Sequence, residues 1–146
     1  MAWTTAANTS IAISAALPSG QTSTAFAALT YTEIGEVVDL DSVVGREYNP
    51  VEHAPLKSAQ RVRKKGSYSL PDATVNVAWD DADAGQILVK TASENNNIYS
   101  IKVTKQDGKL RYFTAQVSKF VENIGSVDDK VTGQITFLRQ TDTITA

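Results

Sequence analysis

The stretch from Thr74 to Phe137 constrains this chain more than any other, because its side chains alternate with a period of two through four successive segments. Along Thr74–Trp79, Tyr99–Val103, Phe113–Val117 and Val131–Phe137, one face carries Val75, Val77, Trp79, Ile101, Val103, Phe113, Val117, Ile135 and Phe137. The other carries Thr74, Asn76, Ser100, Lys102, Thr114, Gln116, Ser118, Thr132, Gln134 and Thr136, with Lys102 its single charge. Successive side chains of a strand point to opposite sides, so the pattern dictates a mainly β protein whose sheet is half in a core and half in water. The wet face is polar but chemically bland.

Within this stretch the period changes once. Ala84, Ile87, Leu88, Thr91 and Ala92 recur at helical spacing, Asp80 or Asp81 can cap the start, Asp83 adds negative charge to the first turn, and Glu94-Asn95-Asn96-Asn97 ends the pattern. This predicts one helix over about residues 81–94, with an apolar stripe too narrow to hold it alone in water. Gln106-Asp107-Gly108, between Ile98–Lys105 and Lys109–Val121, predicts a tight hairpin, because Asp-Gly supplies the positive φ that such a turn needs. A Gly125-Ser126 turn and Asp128-Asp129 precede the last long strand, and Thr141–Ala146 reads as a short strand or a tail.

Upstream the composition differs. Residues 1–32 contain no charged side chain, and Trp3, Ile11, Ile13, Leu17, Phe26 and Leu29 are interleaved with Ala, Ser and Thr. Ile11 and Ile13 alternate with Ala12 and Ser14, a short strand ended by the turn Leu17-Pro18-Ser19-Gly20. Either this is an edge strand with a loose tail, or residues 1–28 form an arm that orders only against another copy, since small uncharged residues pack closely without desolvating charge. Tyr31–Leu40 is a strand-rich run broken by Gly35, a bulge or kink.

Charge is then segregated. From Glu33 to Glu52 the acids are Glu33, Glu36, Asp39, Asp41, Glu47 and Glu52 against the single base Arg46; from Lys57 to Lys65 the bases are Lys57, Arg61, Arg63, Lys64 and Lys65 with no acid. Each block alone reads as a solvated face, but two opposite blocks on one chain also suit head-to-tail self-association. Asn49-Pro50 and Ala54-Pro55 remove ladder donors, so residues 42–66 read as a long loop, within which an extended hairpin could be hidden by the prolines.

No motif for chemistry emerges. At 146 residues the chain is one domain, its formal charge of −2 argues against a dedicated nucleic-acid binder, and without cysteine it has neither disulfide nor thiolate chemistry. His53, the only histidine, has no local nucleophile or orienting partner and reads as a loop residue. Asp80-Asp81-Ala82-Asp83 fails as a calcium loop, because a start at Asp81 puts Gly85 and Ala92 where ligands belong. Gly108, Gly125 and Gly133 lack the spacing of a phosphate loop, and Arg61–Lys65 lacks the interleaved aromatics of a specific nucleic-acid site. Asn8-Thr9-Ser10 matches a glycosylation acceptor by a short pattern that recurs by chance. No apolar run approaches the roughly 18 residues of a membrane span and no positive n-region opens the chain, so synthesis in the cytosol, no catalytic residues, no cofactor and no metal are expected.

The order of these segments carries a resemblance. An uncharged arm precedes Leu29-Thr30-Tyr31-Thr32-Glu33-Ile34-Gly35-Glu36-Val37, then a charged excursion ending in Lys64-Lys65-Gly66, a strand, a single helix through Ala84–Ala92, the Lys105-Gln106-Asp107-Gly108-Lys109 hairpin and Val131-Thr132-Gly133-Gln134-Ile135-Thr136-Phe137. The arrangement resembles the major tail tube proteins of long non-contractile-tailed bacteriophages, over nearly the whole chain; contractile-tail and secretion-system tubes share the architecture. The resemblance implies a two-sheet β-sandwich or barrel-like fold with one flanking helix, in a single domain over residues 1–146. It also implies hexameric rings stacked into a tube through whose lumen the genome passes without specific binding. Residues 42–66 would be the ring-stacking loop and residues 1–28 an inter-subunit arm, with Arg46, Lys57, Arg61, Arg63, Lys64 and Lys65 meeting Glu36, Asp39 and Asp41 between copies. The implied partners are further copies, a tape measure protein, a tail terminator and distal tail or baseplate proteins, with no membrane; the implied location is the virion tail, assembled in the bacterial host cytoplasm. The alternative is a monomeric β-sandwich binding module such as a capsid decoration or receptor-binding domain, which would need a concave or aromatic-rich site that 8% aromatics do not suggest.

Overall fold

The structure is a computed structural model and describes residues 3, 5–57 and 59–146. Four elements lead into the sheet: β1 (Ser10–Ser14), α1 (Ser23–Ala27), β2 (Thr32–Ile34) and β3 (Val37–Asp41). A hairpin of β4 (Glu47–His53) and β5 (Val62–Ser69) follows, then β6 (Ala73–Ala78), α2 (Ala84–Ser93), β7 (Tyr99–Thr104), β8 (Leu110–Asn123), β9 (Thr132–Arg139) and β10 (Ile144–Thr145). The main sheet runs β2-β1-β7-β8-β9-β6-β3, with β10 also on β8.

Chain connectivity closes this sheet. β2 and β3 sit at its two ends, yet only Gly35 and Glu36 separate them, and three Cα steps span at most about 11 Å. The ends must therefore meet, and the sheet curls into a sandwich of two layers. β8 belongs to both layers: it pairs with β7 over Leu110–Ala115 and with β9 over Ala115–Asn123, and a bulge between Val117 and Lys119 bends it. The fold is thus a mainly β, sandwich-like one with a flanking helix, as the alternation and the resemblance imply.

The predicted apolar face is the core. Val75, Val77, Ile101, Phe113, Ile135 and Phe137 are all fully buried, while Trp79, half-buried, stacks on Phe120 with ring centroids 4.6 Å apart. Gly108 turns the β7–β8 hairpin at φ 85°, as Asp-Gly predicts. Gly35 breaks the Tyr31–Leu40 run, and the reversal is completed by Glu36 at φ 59°.

Four expectations are corrected. First, β1 is not an edge strand: it lies between β2 and β7, with Ile11 and Ile13 fully buried. Second, the N-terminal stretch is not ordered only against another copy: within residues 1–28, Ile11–Ser14 and Phe26 are buried in the subunit itself. Phe26, from the unforeseen helix α1, is buried in a stack on Tyr112 (5.3 Å between centroids), and Ser100 Oγ donates to the Ala16 carbonyl (2.7 Å). Ser100, expected to be wet, is consequently buried, and Thr114, expected to be wet as well, is buried against Thr141, whose hydroxyl lies 3.1 Å from its own. Burial, with Tyr112 nearby, pushes the Tyr31 hydroxyl up to about 12.

Third, the helix begins later than its aspartates suggest. Asp83, not Asp80 or Asp81, is the N-cap, and its Oδ2 accepts from both Gln86 N–H (3.0 Å) and Gly35 N–H (3.0 Å). The buried face is Gly85, Gln86, Val89 and Ala92, whereas Ile87 is exposed. The Gln86 amide donates to the Gly35 carbonyl (3.2 Å) and the Ala78 carbonyl (2.9 Å), and its oxygen accepts from Asp80 N–H (3.0 Å). One side chain thereby ties the helix to the seam where β2 gives way to β3. Fourth, of the two readings of residues 42–66 the extended hairpin replaces the continuous loop: β4 and β5 form an antiparallel hairpin separate from the main sheet, with irregular chain before and between them. Pro50 is tolerated because the register shifts between Tyr48 and Pro50, a bulge, and Gly66 lies against it, where a Cβ would come within 2.9 Å of the Asn49 carbonyl oxygen.

Candidate functional site

The hairpin departs most from what an isolated domain needs. Every β4 side chain is exposed, and so is every β5 residue except Gly66, so neither face of this two-stranded sheet is covered. Its order comes from contacts along itself. Tyr48 and Tyr68 face each other across the strands at 5.6 Å, Lys65 Nζ lies 4.7 Å over the Tyr48 ring, and the Arg46 guanidinium lies 4.4 Å over that of Tyr68.

Its root is gripped by the β9–β10 connection. Arg46 Nε donates to Asp142 Oδ1 (3.0 Å) and Nη2 bonds the other carboxylate oxygen, a bidentate pair that holds the Asp142 carboxyl below its usual range and pushes the Arg46 guanidinium further up. Arg139, buried, donates to the Gly45 carbonyl (3.0 Å) and to Thr143 Oγ1 (2.9 Å), and the Thr143 hydroxyl donates to the Val43 carbonyl. Burial pulls the Arg139 pKa down.

The charged residues singled out by sequence fall into different places. Arg46 is engaged in its own chain, and Arg61 pairs with Glu52 at 3.1 Å within the hairpin. Lys57, Arg63, Lys64 and Lys65 are exposed, but alternation divides them: Lys64, opposite Val51, points away from the face shared by Arg63 and Lys65. The acids of the opposing block are split as well. Glu36, Asp39 and Asp41 lie exposed along β3 and the turn before it, where Asp39 accepts from Asn76 Nδ2 (2.7 Å), while Glu47 and Glu52 belong to the hairpin. His53 stands opposite Val62 on the hairpin. Asp129 accepts from Ser126 N–H (3.1 Å) and Oγ (2.9 Å), which makes Asp128-Asp129 part of a turn and lowers the Asp129 pKa. Among the described residues no three His, Cys, Asp or Glu cluster as a metal site would require, and no helix is long and apolar enough to cross a membrane.

Sequence reasoning missed a groove of about 760 Å³ between β3 and the chain that leads into β1. Ile11, Val37, Leu40 and Val103 are among its apolar lining, and Asp39, Lys105 and Arg111 are its charged lining residues. The exposed Val38 and Val44 also line it. Its parts come from four distant stretches of chain, so no local pattern announces it.

No protein-family model matches the chain, and no curated protein matches it. Solved structures do. The chain is similar to a protein in the anti-feeding prophage baseplate, 6-fold symmetrised (TM-score 0.69, 6% identity, 100% of this chain and 97% of the other). It is also similar to one in the sheath/tube terminator of the extracellular contractile injection system PVC in its extended state (0.65, 8%, 100% and 98%). A third likeness is to the SPP1 tail tube (0.62, 12%, 94% and 75%). At such identities the likeness is one of architecture: this chain has the tail-tube-like fold that contractile and non-contractile phage tail systems share.

Proposed function

We propose that the chain is a structural subunit of a phage tail, forming hexameric rings that stack into the tube that conducts the genome to the host at ejection. The observation that carries this reading is the β4–β5 hairpin, uncovered on both faces yet anchored at its root by Arg46–Asp142. A lone two-stranded hairpin is marginal in water, so a second body is needed to cover it. The SPP1 tail tube and the 6-fold symmetrised baseplate, which share the fold, support a ring.

In this reading residues 42–66 stack one ring on the next, and Lys57, Arg61, Arg63, Lys64 and Lys65 meet acids such as Glu36, Asp39 and Asp41 of another copy. Arg46 instead orients the hairpin within its own chain. Any inter-subunit arm is confined to residues ahead of Ser10, because Ile11, Ile13 and Phe26 are buried in the subunit itself. Double-stranded DNA would pass a lumen of neutral polar strand faces without adhering, since a surface with few cations has few counterions to release. The tape measure protein, tail terminator and distal tail proteins would be the remaining partners, in a virion tail assembled in the host cytoplasm.

A second reading has its own support. The terminator and baseplate proteins are matched over 98% and 97% of their length against 75% for the tail tube, which favours a capping or baseplate ring. Negative-stain electron microscopy over a concentration series separates the two, since a tube subunit yields hollow tubes and a cap yields single rings. Persistent monomers would discard both in favour of a monomeric binding module. Replacing Arg63, Lys64 and Lys65 with Glu is expected to shorten or abolish tubes while leaving the thermal midpoint unchanged; tubes of normal length and yield would remove the hairpin from stacking.

A further inference from the structure

We infer that the groove beside β3 takes an extended, otherwise uncharged peptide of another protein that ends in one carboxylate: the peptide adds as a strand to the free edge of β3, and its carboxylate meets Lys105 and Arg111. This site is separate from the self-assembly proposed above. β3 is paired on one side only, with β6, and lies at the end of the sheet. Val37, Val38, Asp39 and Leu40, four successive residues, all line the groove. Successive side chains of a strand point to opposite faces, so a groove that touches all four runs along the strand's edge. The backbone groups of such an edge are a template for one more strand.

The cations of the lining stand in an unusual place. Arg111 pairs across the strands with Val103 and comes two residues before Phe113, both of them core residues, so its side chain leaves the sheet on the side that holds the core. Lys105 follows Val103 by two residues and lines the groove as well. Among the described residues neither makes an ion pair with a carboxylate. Arg111 Nη1 donates to the neighbouring Leu110 carbonyl (3.1 Å), and Asp107, in the turn beyond Lys105, accepts instead from Lys109 N–H (3.1 Å). Two half-buried cations beside Ile11 and Val103 are costly until an anion joins them.

Charge also selects the occupant. Against Lys105 and Arg111 the lining holds one acid, Asp39, whose carboxylate already accepts from Asn76 Nδ2 (2.7 Å), so a single further carboxylate balances the groove. Glu36 and Asp41 lie exposed on either side of Asp39 and repel a strand that carries more acids. Val37, Val38, Leu40 and Val44 suit aliphatic side chains, and the volume of about 760 Å³ is that of a ligand site. The chain's own segments do not meet these terms. Residues 1–32 carry no charged side chain, β5 is basic, β4 lacks a donor at Pro50 and has Glu52 paired with Arg61, and β10 is already bonded to β8.

Calorimetric titration of the full chain with acetyl-Ser-Val-Thr-Val-Thr-Val, as the free acid and as the C-terminal amide, tests the site. The acid is expected to bind about tenfold more tightly, the worth of a hydrogen bond to a charged group. Lys105→Gln combined with Arg111→Gln should bring the two forms to equal affinity. Strand pairing has its own readout in the wild-type chain: of the two alternate patterns of backbone N-methylation of the peptide, one removes the amides that face β3 and should abolish binding, while the other leaves it intact. Equal affinity of acid and amide for the wild-type chain, or binding of neither at millimolar concentration, would overturn the site. So would tolerance of both N-methylation patterns, or tighter binding of decanoate, which has no backbone to pair and would mean a site for small amphiphiles. Particles that disperse as the peptide is added would mean that a second copy fills the groove, and would overturn the assignment of a separate partner.

Discussion

Gly85 marks where the helix touches the sheet most closely. A Cβ there would lie 2.2 Å from the Glu33 carbonyl oxygen and 2.5 Å from Ile34 Cα, both backbone atoms that cannot step aside without moving β2. Helix propensity alone would make Gly85→Ala stabilising by about 1 kcal/mol. The overpacking penalty instead predicts a loss of about 3 kcal/mol, at the upper end for an inserted methyl. Urea unfolding of the variant decides between them by sign, and a gain in stability would refute the close approach. The same crowding explains why the buried helical face runs through Gly85, Val89 and Ala92 and leaves Ile87 exposed. Spacing revealed that a helix exists, but the neighbour with the least room chose its orientation. Asp83 illustrates the same limit, because the sequence points to Asp80 or Asp81 as the cap, and only the fold brings the Gly35 N–H to Asp83.

Among the elements, the hairpin and α1 lead to separate predictions. The Asp142 carboxyl is held below its ordinary value by Arg46, so the anchor contributes fully above the unfolded carboxylate pKa of about 3.9 and is lost as pH falls through the lower folded value. Asp142→Asn should therefore release the hairpin near neutral pH and change nothing at strongly acidic pH. Limited proteolysis of wild type and variant at both pH values tests this; equal cleavage at pH 7 would mean that the ion pair does not hold the root. For α1, Phe26→Ala should cost about 3 kcal/mol and raise hydrogen exchange over residues 15–31 in the monomer, because the stack on Tyr112 is internal. Unchanged exchange in the monomer would return this segment to the role of an inter-subunit arm. Neither element was fully legible. Pro50 argued against a strand until the bulge beside it removed the conflict, and α1 is too short for a periodic signal.

At the scale of the whole molecule, the two ends of one sheet are brought together by Gly35 and Glu36, and a long charged hairpin is left outside the core. A fold that completes its core without the hairpin predicts that deleting residues 54–60 preserves a cooperative thermal transition while abolishing stacking. Calorimetry and electron microscopy on the same sample test both halves, and tubes from the deleted chain would remove the tip from assembly. Much of this was written locally. The alternation of Val75, Val77, Ile101, Phe113, Ile135 and Phe137, the Asp107-Gly108 turn, the break at Gly35 and the separation of acids from bases follow from side-chain period, backbone freedom and composition, which neighbouring residues settle among themselves. The tertiary structure alone decided that β1 is interior, that Ser100 is covered at Ala16 and Thr114 at Thr141, that Gln86 pins the seam, and that a groove opens beside β3. Each of these joins stretches tens of residues apart, and such pairings depend on how the whole sheet curls, which no local pattern encodes.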